Sequence, residues 1–504
     1  MSSLGGFRQG PYRDLLKHSL IYGLGQVLSR ITSIILLPLY TKYLRPADYG
    51  VIAILDLVGG ALSILLGTGI VSAASRYHFE AKTEEERQKV WWTGLTLCVI
   101  SATSVLLPLM FLRESLARLT LGSEVANGGF YYGLILANLW FDIVGQLPDS
   151  YLKVRKRSGV SVGISFARLF VNATLNISLL VVFQLGVAGV LLGNLITGGG
   201  VALCFLAIII RDLGSYSFHL PLIRQFWKFG GPLIITSLLA MLMHQADRFL
   251  LRLFVNMEQI GLYSFAYTIG QGVNTAFVAP FFAIWDVVIY EIRLWPDQKR
   301  FYVRVFEYFF YGLMLVMLGV SLSARQLLSM IAPPDYLGAA DLIPIVCLAY
   351  VFFSLHGHFR VPVLLAKRTE TFPFVYAVAT SVNVIANLIL VPRFGPVGAA
   401  WASVVSFAIF SLVGLWRYRT IEQYEYPLLK CGAALLGVVT SYIGFQLMIH
   451  LEVPYLWLMG AALVVWITWV GILFGPLALR LWGGRQFLPE SQKMIWSSKE
   501  GIDL

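Results

Sequence analysis

Four arginines lie inside long apolar stretches of this 504-residue chain: Arg30, Arg168, Arg248 and Arg360. A guanidinium group stays charged when it is buried, and it binds phosphate or carboxylate oxygens through parallel N–H donors. An unpaired charge in apolar surroundings costs a large free energy, so each arginine needs a buried carboxylate or an anionic ligand. The chemistry that these residues predict is anion binding.

Four aspartates lie in the same kind of stretch: Asp56, Asp142, Asp247 and Asp286. Counting ~1.5 Å per helical residue from the nearest loop charge places Arg30 at the depth of Asp56. The same count places Arg168 at the depth of Asp142, again on a neighbouring antiparallel helix. One interpretation is two buried ion pairs that hold helices together, and the other is that the arginines line a cleft and bind an anion. The two can coexist, since an anion can displace the aspartate.

The elements that position these charges are membrane helices. Hydrophobic residues make up 58% of the chain and charged residues 13%, with a mean hydropathy of +0.74. A soluble globular protein carries about 25% charged residues. The composition therefore predicts an all-α integral membrane protein. Its four cysteines are isolated in separate apolar runs, so we expect no disulfide, no metal site and no cofactor.

The apolar runs predict about fourteen transmembrane helices, near residues 17–41, 50–75, 90–112, 129–152, 160–183, 187–210, 227–251, 261–290, 305–324, 341–365, 371–391, 397–416, 430–449 and 455–479. An even number places both termini on one side of the membrane. Of the 38 Lys and Arg residues, 27 fall on that side and 7 on the other. This bias predicts cytoplasmic termini. It also makes the net charge of +11 a topology signal and an attraction to anionic lipid, not a nucleic-acid footprint.

The sequence repeats itself at an offset of 211 residues. The ordered matches are Gly50 with Gly261, Lys156-Arg157 with Lys367-Arg368, and Asn172 and Asn176 with Asn383 and Asn387. Two residues are then lost, and Gly186 and Gly189 match Gly395 and Gly398. Six helices per copy is an even number, so the copies share one orientation. We predict a first six-helix lobe at 1–212 (the first half), a second at 213–420 (the second half), and two further helices with a cytoplasmic tail at 421–504.

Three stretches carry a resemblance to a known family. They are LLKHSLIYGLGQVLSRITSIILLPLYTKYLRPADYGVIAI at 15–54, QADRFLLRLFVNMEQIGLYSFAYTIG at 245–270 and VNVIANLILVPRFGPVGAAWASVVSF at 382–407. They resemble the MOP flippase superfamily, specifically its polysaccharide-exporter (Wzx-like) branch, and the arrangement of helices is similar over nearly the whole chain. The resemblance implies movement of an undecaprenyl-diphosphate-linked oligosaccharide from the inner to the outer leaflet of the bacterial plasma membrane. Relatives flip the peptidoglycan precursor or export cationic drugs.

The resemblance implies that the bound anion is the diphosphate of the substrate, and the candidates to bind it are Arg30, Arg168, Arg360 and Arg248. Arg30 is the first choice, because the resembling flippases carry first-helix arginines that face their cavity. A headgroup with about two negative charges cannot cross ~30 Å of hydrocarbon without cationic partners. Candidates for ion pairing or for coupling to a driving ion are Asp56, Asp142, Asp247, Asp286 and His358, and the identity of that ion stays open. For Arg360, snorkelling to the cytoplasmic interface is the alternative.

Candidates for sugar contact lie on two helical faces. Tyr263, Tyr267 and Gln271 follow one another at i, i+4 and i+8, and Asn383 and Asn387 are an i, i+4 pair. For the tyrosine stripe the alternative role is packing. For the asparagines it is hydrogen bonding between helices.

The stretch HQADRFLLRLFV at 244–255 places two charges side by side. Asp247 lies roughly 28 Å along a helix from Lys228, which predicts a position at the outer surface. Adjacent residues point about 100° apart on a helix, so Asp247 and Arg248 are expected to be poor partners. Arg248 and Arg252 share one face and would repel each other unless they are hydrated. We therefore predict an outer mouth, as a gate or a site of headgroup release.

The leading function predicted is flipping of a lipid-linked oligosaccharide by alternating access. The alternatives are a drug/cation antiporter or peptidoglycan-precursor flippase of the same superfamily, and a membrane enzyme of polysaccharide assembly such as a polymerase or ligase. The sequence has no G-x-x-x-x-G-K-[ST] phosphate loop and no large outer loop with clustered catalytic residues, which argues against an enzyme. Expected partners are membrane lipids, a polysaccharide polymerase and glycosyltransferases, with the chain itself a monomer that binds no nucleic acid.

Overall fold

The computed structural model describes residues 37–482, and these residues are helical apart from short connections. Helix α1 is described over residues 37–43. The helices that follow in the first half are α2 (Pro46–Glu80), α3 (Glu84–Phe111), α4 (Gly128–Val154), α5 (Ser158–Ile177, extended by a π-helical turn at Ser178–Val182) and α6 (Gly186–Leu213). A short helix, Arg113–Thr120, follows α3.

The remaining helices are α7 (Pro221–Arg252), α8 (Met257–Leu294), α9 (Gln298–Leu322), α10 (Ile343–Ala366), α11 and α12 (the two parts of Phe372–Tyr418), α13 (Leu428–His450) and α14 (Tyr455–Trp482). A short helix, Ala324–Ile331, follows α9. Helices α11 and α12 meet at Gly395, where φ is 54°. Glycine adopts this left-handed conformation without the strain of a Cβ, so the chain changes direction there.

Local sequence signals explain where several helices begin. Helix α3 starts with a capping box, in which the Thr83 hydroxyl accepts the N–H of Glu86 at 3.2 Å and the Glu86 carboxylate accepts the N–H of Thr83 at 3.4 Å. Asn256 caps α8 by accepting the N–H of Gln259 at 3.0 Å. Such contacts satisfy N–H groups that have no partner inside the helix.

Within the described residues, eleven helical segments are long and apolar enough to cross a membrane by length and composition. The prediction of an all-helical, multi-pass membrane protein is confirmed. Several helices extend beyond the predicted apolar runs, as in α2 (Pro46–Glu80 against 50–75) and α8 (Met257–Leu294 against 261–290). The extension of α2 is polar and carries an i, i+4 ion pair between Arg76 and Glu80 at 2.8 Å. Such a pair favours helix outside the hydrocarbon, where apolar content gives no signal.

Backbone irregularities recur at the offset found in the sequence. Lys156 and Lys367 both have a φ of 58°, and Gly186 and Gly395 have φ values of 55° and 54°. A π-helical turn interrupts α2 at Ile64–Thr68 and α8 at Asn274–Val278. Positive φ and π-helical turns are uncommon. They recur at offsets of 211 residues for the lysines, 210 for the π-helical turns and 209 for the glycines, which supports the internal repeat.

The described residues form two compact units. The larger unit contains the chain up to Gln298 together with Ala324–Tyr424. The smaller unit contains Lys299–Ser323 and the chain from Glu425 onward, so α9 belongs with α13 and α14. Within this smaller unit the indole Nε1 of Trp466 donates to the carbonyl of Leu315 at 2.9 Å. All of the candidate site residues described below lie in the larger unit.

Candidate functional site

Several of the candidate site residues line three cavities in the larger unit. The first-half cavity has a volume of about 410 Å³, and its lining includes Asp56, Asn138, Asp142, Gln146, Asp149 and Arg168. The shared cavity, of about 470 Å³, is lined from both halves, by Tyr49, Asp56 and Asn194 and by His244, Arg248 and Gln271 among others. The second-half cavity, of about 250 Å³, is lined by Asn274, Phe282, Phe353, His356, Arg360 and Tyr376 among others.

Arg168 and Asp142 meet in the first-half cavity. Nη2 of Arg168 lies 3.5 Å from Oδ1 of Asp142, so the predicted contact is confirmed. The side chains are 50% and 31% exposed, and the second oxygen of Asp142 accepts from Asn138 at 3.0 Å. One long contact leaves most of the guanidinium edge free to bind a ligand in the cavity.

Asp149 is a cavity residue that the sequence analysis missed. Its carboxylate binds Lys153 at 2.6 Å and accepts from the Ser161 hydroxyl at 2.7 Å. The available signal was spacing, because Asp142 and Asp149 are seven residues apart on α4 and therefore share a helical face. The first-half cavity thus contains three aspartates beside one arginine among the described residues.

Asp56 lines both the first-half cavity and the shared cavity. Its predicted partner, Arg30, lies outside the described residues, so the Arg30–Asp56 pair stays a prediction. The position of Asp56 is nevertheless informative, because a carboxylate at the junction of two cavities meets any group that passes between them.

The environment of Asp247 and Arg248 differs from the expectation. Asp247 is 1% exposed and Arg248 8%, so both are buried among packed helices and are not hydrated. Their predicted depth, near an outer mouth, stays a prediction. The Asp247 carboxylate accepts from the hydroxyls of Tyr263 and, at 3.4 Å, Ser403. The helices α8 and α12 that pack against α7 supply these donors, and sequence depth alone does not reveal them.

The two neighbours also contact each other, with 3.8 Å between Nη1 of Arg248 and Oδ1 of Asp247. A distance of 3.8 Å is too long for a hydrogen bond, so the two side chains make a weak pair, as expected for adjacent residues of a helix. Arg248 also donates through Nε to the Ser264 hydroxyl at 3.3 Å, and its guanidinium lies 4.6 Å from the ring centre of Tyr267. Arg252 forms an ion pair with Glu124 at 2.6 Å, which offsets its repulsion from Arg248.

The tyrosine stripe divides between packing and cavity. Tyr263 is 0% exposed and donates to Asp247, which is a structural contact. Tyr267 is 2% exposed and lines the shared cavity together with Gln271. Among the three residues of the stripe, Gln271 is the most exposed.

Asn176, Asn383 and Asn387 are buried, and Asn172 is partly buried. Asn176 and Asn387 each donate to the backbone carbonyl four residues earlier, that of Asn172 or Asn383, at 2.8 Å. Asn172 also donates across to Asn194 of α6 at 2.9 Å, which confirms hydrogen bonding between helices in the first half. Asn383 and Asn387 are both 0% exposed, so in this conformation they offer no surface to a sugar.

Arg360 and Asp286 form an ion pair that the sequence analysis did not predict. Nη2 of Arg360 lies 2.8 Å and 2.6 Å from the two carboxylate oxygens of Asp286. Counting ~1.5 Å per helical residue from Arg293 and from Lys367 places Asp286 and Arg360 at the same depth of roughly 10 Å, and that equal depth is the sequence signal for pairing. His358 is 1% exposed and packs among Phe281, Phe282 and Trp285.

The two halves touch at both ends of α2. Near Pro46, α2 crosses α8 so closely that a Cβ on Gly50 would lie 2.2 Å from the carbonyl oxygen of Met257, and one on Gly261 would lie 1.7 Å from that of Pro46. The contact is reciprocal at the repeat offset. Near Glu80, Tyr77 stacks on Phe226 of α7 with ring centres 5.8 Å apart.

The connection between the short helix Ala324–Ile331 and α10 reinforces the first of these contacts. The Tyr336 hydroxyl donates to the carbonyl of Leu44 at 3.0 Å. Burial raises the pKa of Tyr336, so this hydroxyl keeps its proton and remains a donor at neutral pH. Within residues 37–482, no three His, Cys, Asp or Glu side chains lie close enough to share a metal ion.

Comparisons with known proteins agree with this architecture. The chain is similar to the lipid II flippase MurJ in an inward closed conformation, with 13% identity, a TM-score of 0.72, and coverage of 92% of this chain and 100% of that one. It is similar to an inward-facing MATE family multidrug resistance transporter of the MOP superfamily (15% identity, TM-score 0.64, 78% and 94% covered). A MOP superfamily transporter from Pyrococcus furiosus is also similar (14%, 0.55, 80% and 95%).

At these identities the likeness establishes the fold alone, which this chain shares with the lipid II flippase MurJ and the MATE family transporter. A search of curated protein sequences found no match. A family model described as "Polysaccharide biosynthesis protein" matches residues 15–285, more than half of the chain. The chain therefore belongs to the polysaccharide biosynthesis protein family.

Proposed function

We propose that this protein flips a polyprenyl-diphosphate-linked oligosaccharide from the inner to the outer leaflet of the bacterial plasma membrane, for the synthesis of a cell-surface polysaccharide. The observation that carries the proposal is Arg168, a half-exposed guanidinium in the wall of a cavity inside a multi-pass membrane protein. The family to which the chain belongs supports a substrate used in polysaccharide synthesis. The likeness in fold to a lipid II flippase supports a lipid-linked one.

The role of Arg168 follows from its loose attachment. A single contact of 3.5 Å to Asp142 is weaker than the forked, charge-assisted contact that a diphosphate oxygen pair offers. The diphosphate takes the place of the carboxylate, and the guanidinium keeps its charge throughout. Arg248 supplies further positive charge in the shared cavity, and the sequence predicts Arg30 at the depth of Asp56, so in this proposal the headgroup does not enter hydrocarbon without cationic partners.

The transport cycle that we propose uses the internal repeat. Of about fourteen transmembrane helices, with both termini cytoplasmic, twelve form two six-helix lobes, 1–212 and 213–420, which rock about the shared cavity. Contacts at both ends of α2 join the two halves in the conformation described. Each contact opens in turn, one to admit the headgroup and the other to release it.

A second candidate function is drug or cation antiport in the same superfamily. The observation that favours it is the first-half cavity, where Asp56, Asp142 and Asp149 outnumber Arg168 among the described residues. Two of these carboxylates already have cationic partners, Arg168 and Lys153, which reduces the negative charge available to a cationic drug.

Purified protein in liposomes tests the two functions side by side. One set of liposomes contains a fluorescent undecaprenyl-diphosphate-linked sugar, and a membrane-impermeant reductant quenches the label exposed on the outside. We expect quenching to continue beyond the outer leaflet only when protein is present, and a fluorescent phosphatidylcholine to stay protected. Ethidium uptake against a proton gradient measures antiport in the second set. Ethidium transport without lipid movement would replace the flippase with the antiporter.

Arg30 gives the matching test in cells. In a flippase-deficient strain we expect Arg30→Ala to abolish complementation at normal protein abundance and Arg30→Lys to retain part of it, because a lysine keeps the charge without the fork. Normal complementation by Arg30→Ala would remove Arg30 from the diphosphate site. A loss of abundance that Asp56→Ala restores would show that the pair is structural.

A further inference from the structure

The second-half cavity stands at the position of the first-half cavity in the repeat. Five pairs of lining residues correspond at the offset of 211: Ser63 and Asn274, Asp142 and Phe353, Gly145 and His356, Gln146 and Gly357, and Asp149 and Arg360. The two cavities are thus one feature of the fold built twice, and the second is neither a packing defect nor an isolated groove.

The chemistry of the second copy differs from that of the first. Where the first-half cavity has Asp142, the second-half cavity has the aromatic ring of Phe353. Where the first has Asp149, the second has the guanidinium of Arg360. The ring of Phe282 packs directly against Gly357, so closely that a Cβ at this position would lie 2.2 Å from the ring. A glycine is therefore needed where the first half has Gln146. The result is a small chamber with aromatic walls and a few polar groups, which is the composition of a ligand site.

Some polar groups of the second-half cavity are held by hydrogen bonds, and some of their donor and acceptor atoms have no hydrogen-bond partner among the described residues. Arg360 is fixed through Nη2 by both oxygens of Asp286, while its Nε has no hydrogen-bond partner among the described residues. His356 is fixed through Nε2 by the Tyr418 hydroxyl at 2.9 Å. The amide oxygen of Asn274, at the start of the π-helical turn of α8, is likewise buried without a partner. Buried polar groups without partners destabilise a protein unless a ligand or water satisfies them.

The chamber adjoins the cavity that the two halves share. Phe353 lines the second-half cavity, and its ring centre lies 4.7 Å from that of His244, which lines the shared cavity. Arg248 lies one helical turn beyond His244 and also lines the shared cavity. A group bound in the chamber is therefore separated by one layer of rings from an anion held by Arg248.

We propose that the second-half cavity binds one sugar ring of the headgroup, the ring next to the diphosphate. The proposal rests on the proposed function. A volume of about 250 Å³ is below the ~300–1,000 Å³ of sites for drug-sized ligands, so it admits a single ring. The C–H face of a pyranose packs on the flat rings of Phe353 and Tyr376, and its hydroxyls meet Arg360, Asn274 and the Tyr376 hydroxyl.

Two other occupants fit less well. An isoprenoid chain would leave the polar groups of Arg360 and Asn274 unsatisfied, at a cost in free energy. A diphosphate would meet a guanidinium already neutralised by Asp286, with aromatic faces around it. Of these three occupants, a sugar ring is the one that contacts both the aromatic rings and the polar groups of Arg360 and Asn274.

The test compares two lipids in proteoliposomes, undecaprenyl diphosphate bearing one hexose and bare undecaprenyl diphosphate. For Phe353→Leu and Tyr376→Phe we expect the half-saturating concentration of the sugar-bearing lipid to rise about fivefold, which is the effect of losing one ring contact or one hydrogen bond. The bare lipid is expected to move as in the wild type. Phe374→Leu is the matched control, since Phe374 lies on α11 with Tyr376, is 50% exposed and does not line the second-half cavity.

Each other outcome is decisive. If both variants treat both lipids as the wild type does, or if they weaken both lipids equally, the chamber does not recognise the sugar. Equal weakening would indicate the isoprenoid chain or a loss of folding, and the thermal midpoint of the purified variants separates these two. If the wild type moves neither lipid, the proposed function itself has failed.

Discussion

The first-half and second-half cavities are lined from equivalent backbone positions but by different kinds of side chain. Both lie between helices related by the same offset, and both adjoin the shared cavity, through Asp56 and through Phe353. The first contains three aspartates and a loosely held arginine, whereas the second contains aromatic rings and an arginine fixed by two short contacts. The fold decides that a chamber exists at this position, and the side chains decide what it accepts.

The two ion pairs make the contrast quantitative. Arg168 reaches Asp142 at 3.5 Å, while Arg360 reaches both oxygens of Asp286 at 2.8 Å and 2.6 Å. A loosely held guanidinium can exchange its partner for a ligand, whereas a firmly held one presents a fixed edge. Three predictions test this division, in order of decreasing effect.

The largest effect is expected at Arg168. Replacement by alanine removes the only arginine described in the first-half cavity, and we expect transport of the diphosphate lipid to fall at least about tenfold, which corresponds to the loss of one charge-assisted contact. Arg168→Lys should retain part of the rate. Initial rates in proteoliposomes measure the effect, with Arg118→Ala as an exposed control. Wild-type rates for Arg168→Ala would assign the diphosphate to another site.

An exchange of equivalent residues is expected to have the next largest effect. Gly357→Gln introduces the residue of the first half into the second, and its Cβ would collide with Phe282, so we expect a loss of about 1–3 kcal/mol from overpacking. The matched control is Gln146→Ala, which removes the hydrogen bond from Gln146 Nε2 to the Ser63 hydroxyl at 2.9 Å without creating a collision, and it should cost about 1 kcal/mol. Thermal unfolding in detergent compares the two. A loss for Gly357→Gln no greater than that for Gln146→Ala would show that Phe282 does not restrict the second-half cavity.

The smallest effect is expected from neutralising each carboxylate. Asp286→Asn weakens a short, partly exposed ion pair, so we expect a loss of at most about 1 kcal/mol. Asp142→Asn should leave stability unchanged within error and should lower the half-saturating concentration of the lipid, because the competitor for Arg168 is gone. A rise in that concentration would show that Asp142 positions the arginine instead of competing with the substrate.

The sequence predicted the charges of the first half better than those of the second. Arg168 and Asp142 lie on consecutive helices, so a count of residues from each helix end was enough to pair them. Asp286 and Arg360 are separated by two helices in the chain and were not paired. Asp247 was expected to be hydrated and is buried, because its depth along α7 says nothing about the hydroxyls of α8 and α12 that surround it.

The sequence by itself determined the membrane helices, the internal repeat and the candidates for anion binding. These depend on apolar length, on charge counts and on the order of matched residues, all of which are properties of the linear chain. Only the tertiary structure decided which charges face a cavity and which are buried among donors. It alone revealed that Asp149 and Arg360 occupy equivalent chambers, because the exposure of a side chain depends on helices that are distant in sequence and adjacent in space.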